Sequence, residues 1–350
     1  MTPTEPPIGD AVAATIGPHL PVVAVDPGEI DLPLAAEVAA LWEIARLECE
    51  PSMPPETARE TFAQLTYGWD GEPPELTIVR DGPLLVAVAT LEMPRRDNTH
   101  LGMFGAVVDP DHRRRGLGSA LLDAALTRLR ELGRRTVMAE AAEGSAGEAF
   151  LRARGLASGS TDVQRLLPIP DLDRDRLAEM LAAARAASVG YRVEPVPIPV
   201  PDHLVEAVLT VSRAINDAPI DELDLEDEVY DADRLRGLEQ SMAMRGRRLH
   251  WLIAWSPDGD PAGHTMVSVS AEHPQRGVQL DTSVRREHRG HRLGLRLKLE
   301  MVERLRRLEP ELVSVATWNA ASNAHMVGVN EAMGHRVERI WHEYQRAVDA

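Results

Sequence analysis

Two stretches of this chain place arginines at the start of a helix, where cations do not belong. In "VVDPDHRRRGLGSALLDAAL" (Val107–Leu126), Arg113, Arg114 and Arg115 immediately precede an apolar run of helical period. A helix N-terminus carries partial positive charge and unpaired N–H donors, so cations there are disfavoured unless an anion is shared between them. Gly116 and Gly118 would let the backbone approach such an anion without interference from Cβ. The chemistry this suggests is phosphate binding: a glycine-bearing turn aims several N–H groups at one point, and Arg113 adds charge-assisted hydrogen bonds. The layout recurs in "SVRREHRGHRLGLRLKLEMVERL" (Ser283–Leu305), where Val284, Arg289 and Gly294 match Val108, Arg113 and Gly118 at an offset of 176 residues. An offset close to half of the 350 residues implies duplicated domains rather than a short solenoid repeat.

Other phosphate loops are excluded. A nucleoside-triphosphate loop needs Gly-Lys-Ser/Thr, and neither loop has a lysine. A dinucleotide fingerprint needs a third glycine where Leu121 stands. His288 and His291 flank the second loop without metal-ligand spacing to other His or Cys, so no metal is expected. Cys49 is the only cysteine, which precludes an intramolecular disulfide and suits a reducing compartment.

What remains is Arg-x-x-Gly-x-Gly after a strand and opening a helix, and "RRRGLG" (Arg113–Gly118) resembles the pyrophosphate-binding motif of the GNAT superfamily of N-acetyltransferases. The resemblance covers both halves. It implies two tandem GNAT-like acyl-CoA N-acyltransferase domains, comparable in arrangement to mycothiol synthase and nearest to actinobacterial proteins of unassigned substrate. It further implies acetyl-CoA as cosubstrate, held by Val107, Val108, Arg113, Arg114, Arg115, Gly116, Leu117, Gly118 and Ser119 in the first half. The second-half counterparts are Ser283, Val284, Arg289, Gly290, His291, Arg292, Leu293 and Gly294, with Asn323 opening a later helix. Arg292 departs from the family pattern, which has glycine there. The family tyrosine that protonates the leaving thiolate is replaced by Asn330 in the second half and Leu151 in the first. Asn330 is assigned a hydrogen bond to the sulfur, with water or Tyr230 as substitute acids.

Acetyl transfer from a thioester to an amine is direct attack, needing position, a neutral amine and a stabilised oxyanion. Asp281 in "QLDTSV" is the candidate general base; the alternative is that it only bonds the turn. Its first-half equivalent, Gly105, has no side chain, which points to catalysis in the second half. The acidic segment Asn216–Asp233 either is a solvated face or lines a pocket for a small cationic acceptor such as a polyamine or aminosugar, with Glu226 and Glu228 as its binding residues. Trp251, Trp255 and Trp318 fall on predicted strands as core. Catalysis in the first half, and a non-catalytic acyl-CoA-binding or regulatory role, remain as alternatives.

The elements that position these residues are mixed α/β in each half: an early helical section, a hairpin, then strand–turn–helix–strand–helix–strand. The expected domains are residues 18–168 and 190–350, joined by a helical linker over 169–189 whose Leu177, Met180, Leu181 and Ala184 mark one face. The N-terminal stretch has no basic segment followed by an apolar one, and no run is long enough to span a membrane, so a cytoplasmic protein is expected. A net charge of −17 argues against nucleic acid as a partner. The partner is expected to be a small-molecule amine, with a homodimer as one option. All fixed cations but Lys298 are arginines, as in GC-rich bacterial genomes.

Overall fold

Each half of the chain is a meander of antiparallel strands that runs into a strand–helix–strand crossover. The computed structural model describes residues 15–16 and 20–349. The expected domain ends at 18 and 350, and most of the N-terminal stretch read for a leader, lie outside the described residues. The first half comprises β1 (Thr15–Ile16), β2 (Leu20–Val25), α1 (Leu32–Cys49), α2 (Ala58–Tyr67), β3 (Glu75–Asp81), β4 (Leu84–Glu92), β5 (Leu101–Val108), α3 (Leu117–Glu131), β6 (Thr136–Ala142), α4 (Ala146–Ala153) and β7 (Ala157–Pro168). After α5 (Arg174–Ala187) the second half follows with β8 (Arg192–Pro195), α6 (Asp202–Ser212), α7 (Ala232–Met244), β9 (Arg247–Trp255), β10 (Pro261–Ser270), β11 (Arg276–Val284), α8 (Leu293–Leu308), β12 (Ser314–Ala320), α9 (Ala324–Met333) and β13 (Arg336–Ala347).

Helix starts follow local chemistry. Asp31, Asp173 and Asp231 accept from backbone N–H groups at the starts of α1, α5 and α7. Thr57 and Glu60 form a reciprocal capping box on α2, a helix absent from the sequence expectation although Thr-x-x-Glu is its signature.

The strands form one sheet, ordered β1-β2-β3-β4-β5-β6-β13-β7-β12-β11-β10-β9-β8. The last strands of the two halves are thus exchanged. β13 lies between β6 and β7, and β7 lies between β13 and β12. The cores follow the exchange: Tyr344 and Val348 of the second half pack with Leu122, Leu126 and Leu129 of α3. Leu167 and Ile169 of the first half pack with Leu297 and Met301 of α8. The linker helix α5 buries Leu177 and Leu181 in that same second core. In the first half, α3 packs on one face of the sheet, while α1 and α2 cover the other with Val38, Leu41 and Leu65.

Two wedges interrupt the sheet. β5 and β6 run parallel but pair only from Leu101–Thr136 to Met103–Met138, although β5 stays paired with β4 as far as Val108. β11 and β12 likewise pair only from Arg276–Ser314 to Val278–Ala316. Beyond those points each facing edge has lost its ladder partner.

Candidate active site

Each arginine-rich loop lies at the open end of a wedge, and the two loops solve the same backbone problem with opposite residues. Arg114 (φ 62°) and Gly116 (φ 89°) are left-handed in the first loop; Gly290 (φ 85°) and Arg292 (φ 54°) are left-handed at the matching positions of the second. In each loop glycine takes one of the two positions without penalty, and arginine holds the other against the steric cost of its Cβ. Arg292, where the family pattern has glycine, thus holds the left-handed conformation that Gly116 holds in the first loop. α3 and α8 both begin without a side-chain cap, leaving their first N–H groups directed out of the turn.

The arginines themselves are placed differently from expectation. Nε of Arg113 donates to the carbonyl of Val108 and Nε of Arg289 to that of Val284, each at 3.0 Å, fastening the turn to the end of its strand. The remaining nitrogens of Arg113 grip Glu48 at 3.0 Å, while Arg289 bonds Asp217 at 2.6 Å. These two arginines are loop braces, already paired with carboxylates. Arg115 bonds the carbonyl of Asp111. Leu117 and Leu293 point into the two cores, so only their backbone faces the loop. Gly118, Ser119 and Gly294 lie in the first turns of α3 and α8. His291 stacks near Tyr191, whose hydroxyl meets His288.

Asp281 stands at the one irregularity of β11. Thr265 pairs with Thr282 and Val267 with Gln279, so Leu280 and Asp281 together oppose Met266 in a β-bulge. A bulge re-aims side chains. No bulge interrupts the β4–β5 ladder, where Gly105 faces Thr90. The Asp281 carboxyl enters a cavity of about 230 Å³ lined by Val208 and Leu209 of α6, Arg234, Leu235 and Leu238 of α7, and Glu228, Tyr230, Trp251, Met266 and Leu280. Trp69 and Asp70 of the first half complete it. Burial, reinforced by the negative charge of Glu228 and opposed by Arg234, pushes the Asp281 carboxyl up to about 6.

The cavity's polar wall is one network. The Tyr230 hydroxyl donates to Glu228 at 2.8 Å, and burial, Asp281 and Glu228 all push its ionisation upward, so it stays a phenol. Arg234 meets Asp70 and Asp97 of the first half at 2.7 Å each and Glu228 at 3.2 Å, with its guanidinium over the Tyr230 ring. Burial opposes its charge, but these carboxylates outweigh that and raise its pKa. Gly237 permits the arrangement: a Cβ there would lie 2.0 Å from the Asp70 carbonyl oxygen. Trp251 donates to His264, which burial holds neutral at about 3.

Several expected residues are employed elsewhere. Glu226 does not line the cavity: its carboxylate accepts from the Asn98 N–H at 3.0 Å, and its own N–H bonds the Asn98 side chain at 2.7 Å. The acidic segment is neither a free solvated face nor wholly a pocket wall. It is strapped across the first half through Asn98, His100 and Thr136. Asn330 is fully buried, with both ends of its amide engaged by Lys298 and Asn319, so it does not itself reach a sulfur in the wedge. Asn323 caps α9 by accepting from Met326 N–H. The Ser283 hydroxyl donates to the Val211 carbonyl. No group of three or more His, Cys, Asp or Glu suited to a metal occurs among the described residues. Burial raises the Cys49 thiol, the opposite of nucleophile activation.

One cluster had no forecast. Glu140 on β6 and Glu343 on β13 are cross-strand partners beside the first wedge, each pushed up to about 7 by burial and by neighbouring carboxylates, Asp162 among them. Glu140 is solvent-exposed and Glu343 half-buried. Carboxylates on separate strands, one from each half, leave no mark in local sequence.

Comparison with known proteins places this geometry. The profile of the acetyltransferase (GNAT) family matches residues 39–155. No curated protein matches the sequence. A tandem GNAT protein from the clavulanic acid biosynthesis pathway, solved without AcCoA, superimposes with a TM-score of 0.77 at 26% identity, covering 94% of this chain and 99% of that one. A GCN5-related N-acetyltransferase from Sphaerobacter thermophilus gives 0.65 at 17% identity, covering 95% and 97%, and shares the fold. A putative acetyltransferase from Pyrococcus horikoshii gives 0.56 at 12%, covering 97% and 93%. The GNAT family profile thus covers the first loop-and-wedge unit, and the two units on one shared sheet have the architecture of that tandem GNAT structure.

Proposed function

We propose that the chain is an acetyl-CoA-dependent N-acetyltransferase whose chemistry occurs in the second half, on a small amine carried by an apolar body. The observation that carries this reading is the bulge that turns Asp281 from the wedge into the cavity holding Glu228 and Tyr230. The residues present suit an acyl-CoA. Each loop aims an uncapped helix start at one point, fit for a pyrophosphate, and the strand edge beyond Val278 offers unpaired backbone to an extended pantetheine arm.

In this reading the cavity binds the acceptor. Its charged groups are Asp281, Glu228 and Asp70 against the single cation Arg234, and leucine, valine, methionine and tryptophan side chains make up much of the rest, which favours a cationic amine with a hydrophobic body over a polyamine. Asp281, half ionised near pH 6, removes the ammonium proton so that the nitrogen lone pair can attack the thioester carbon. The uncharged Tyr230 phenol and Glu228 orient the amine. Wedge backbone N–H groups offer donors to the developing oxyanion. The same reading has a small-molecule amine, rather than nucleic acid or a membrane, as partner. No helix among the described residues is long and apolar enough to cross a membrane.

A second reading rests on Glu140. It flanks the first wedge, beside the loop with both pattern glycines, and its carboxyl is poised near neutrality as a base would be. The experiment that decides is acetyl-CoA calorimetry combined with thiol release over an amine panel, using Gly118→Glu and Gly294→Glu proteins. Second-half catalysis predicts turnover lost only with Gly294→Glu. Loss with Gly118→Glu alone transfers the activity to the first half, and binding without thiol release from any amine favours a non-catalytic acyl-CoA binder.

A further inference from the structure

The only lysine of the chain is buried in the second core. Lys298 of α8 is 3% exposed, and its ammonium has one hydrogen-bond partner, Oδ1 of Asn330, at 2.7 Å. Burying an ammonium against a single neutral acceptor costs free energy. Burial alone lowers its pKa to about 7; no carboxylate offsets it. The charged and titratable groups beside it are His335, which burial and Lys298 hold neutral at about 3, and Arg165 of β7, which acts on His335.

The bond from Lys298 sets a direction. An ammonium only donates, so Asn330 must present its oxygen to Lys298 and its Nδ2 away from it. That Nδ2 donates to Oδ1 of Asn319 at 2.6 Å. Asn319 thereby turns its own Nδ2 away from Asn330, and that nitrogen has no hydrogen-bond partner among the described residues. Asn319 lies on β12 beyond Ala316, the last residue paired with β11. Continuing the register of Arg276–Ser314 and Val278–Ala316 sets Asn319 across the wedge from Asp281. The side chains of Val315 and Asn319 share a strand face, and Val315 packs with α8, so Asn319 borders the wedge from the side opposite the acceptor cavity.

We propose that Lys298, acting through Asn330, holds Asn319 as the hydrogen-bond donor to the leaving sulfur in the second wedge. When the amine nitrogen bonds to the acyl carbon, the C–S bond breaks and its electron pair passes to sulfur. The Asn319 N–H meets that charge, and water then protonates the thiolate. Lys298 and Asn330 are positioning residues, and Asn319 supplies the contact that a family tyrosine would make. Deprotonated Lys298 can accept instead of donate, which frees the relay to reverse, so the device works best while the lysine is charged.

This rests on the reading that the second loop binds acyl-CoA, and product CoA tests it without an acceptor. In a Gly118→Glu background, which leaves one loop, the ionisation of bound CoA thiol is followed by thiolate absorbance, and the affinities of CoA and desulfo-CoA are compared across pH. The expected result is a bound thiol pKa about one unit below the free value of roughly 8.5, giving CoA about tenfold preference over desulfo-CoA at high pH. Lys298→Met and Asn319→Ala should abolish both effects while binding desulfo-CoA within about twofold of the parent. Asn330→Asp keeps the lysine contact but removes the donor, and should do the same. An unshifted thiol in the parent, or a shift that survives Lys298→Met, overturns the inference alone. Failure of the Gly118→Glu protein to bind either nucleotide overturns the reading of the second loop and the inference with it.

Discussion

Glu140 and Glu343 face each other across the β6–β13 ladder, one carboxylate from each half of the chain. Both carboxyls are pushed up to about 7, Glu140 by burial with Glu50, Asp162 and Glu92, and Glu343 by burial with Asp162, Glu140 and Asp221. Since their folded pKa values are raised, the native state binds more protons than the unfolded chain between about 4.5 and 7. Their contribution is fully present below that window and is lost as pH rises through it. Glu343→Gln should therefore match the parent at pH 4.5 and exceed it by about 1 kcal/mol at pH 8, allowing for solvent screening of Glu140. Urea titrations at the two pH values check this, and an equal gain at both would remove repulsion as the cause.

The base role proposed for Asp281 carries a pH signature. Turnover should fall along an acid limb with an apparent pKa near 6, following the raised Asp281 carboxyl. Asp281→Asn should reduce kcat by about 10²-fold or more, with little change in acetyl-CoA affinity. The same substitution should stabilise the fold at pH 7 by up to about 2 kcal/mol, since the charge it removes is paired with none of its own. A variant that loses stability, with its acid limb unchanged, would assign Asp281 to structure.

Arg292 holds a left-handed conformation that glycine adopts freely. Arg292→Gly should raise stability by about 0.5–1 kcal/mol, the relieved strain being partly offset by greater freedom of the unfolded chain. The denaturant midpoint should rise with an unchanged slope. A destabilised variant would mean that the guanidinium makes up for its own strained backbone.

The exchange of β7 and β13 makes a prediction for fragments. Residues 20–189 lack the strand that fills the gap between β6 and β7, along with Tyr344 and Val348 of their core. Expressed alone, this piece should fail to give a cooperative melt; co-expressed with residues 190–350, it should recover one. A sharp, independent melt for either fragment would show that the exchanged strands are dispensable.

Much of this architecture is legible in the sequence because it is written in local pattern. The Gly116–Gly118 turn, the apolar stripes of α3 and α8, and the strand leading to Asp281 are each set by neighbours in the chain. What escapes is long-range. That Arg113 would spend its charge on Glu48, or Glu226 on Asn98, depends on partners 65 and 128 residues away. The pairing of β7 with β12 is hidden for the same reason: β7 has the composition of any strand, and nothing in its own residues says which half it completes.

The exchanged strands also bear on how such a chain can change over generations. Once a duplicated gene product trades its closing strands, neither copy can be discarded, because each is half of the other's scaffold. One copy is then free to lose chemistry while remaining indispensable as a building part. Asp281 in one half and Gly105 at the matching place in the other show how far two duplicates bound together by architecture can diverge in their side chains.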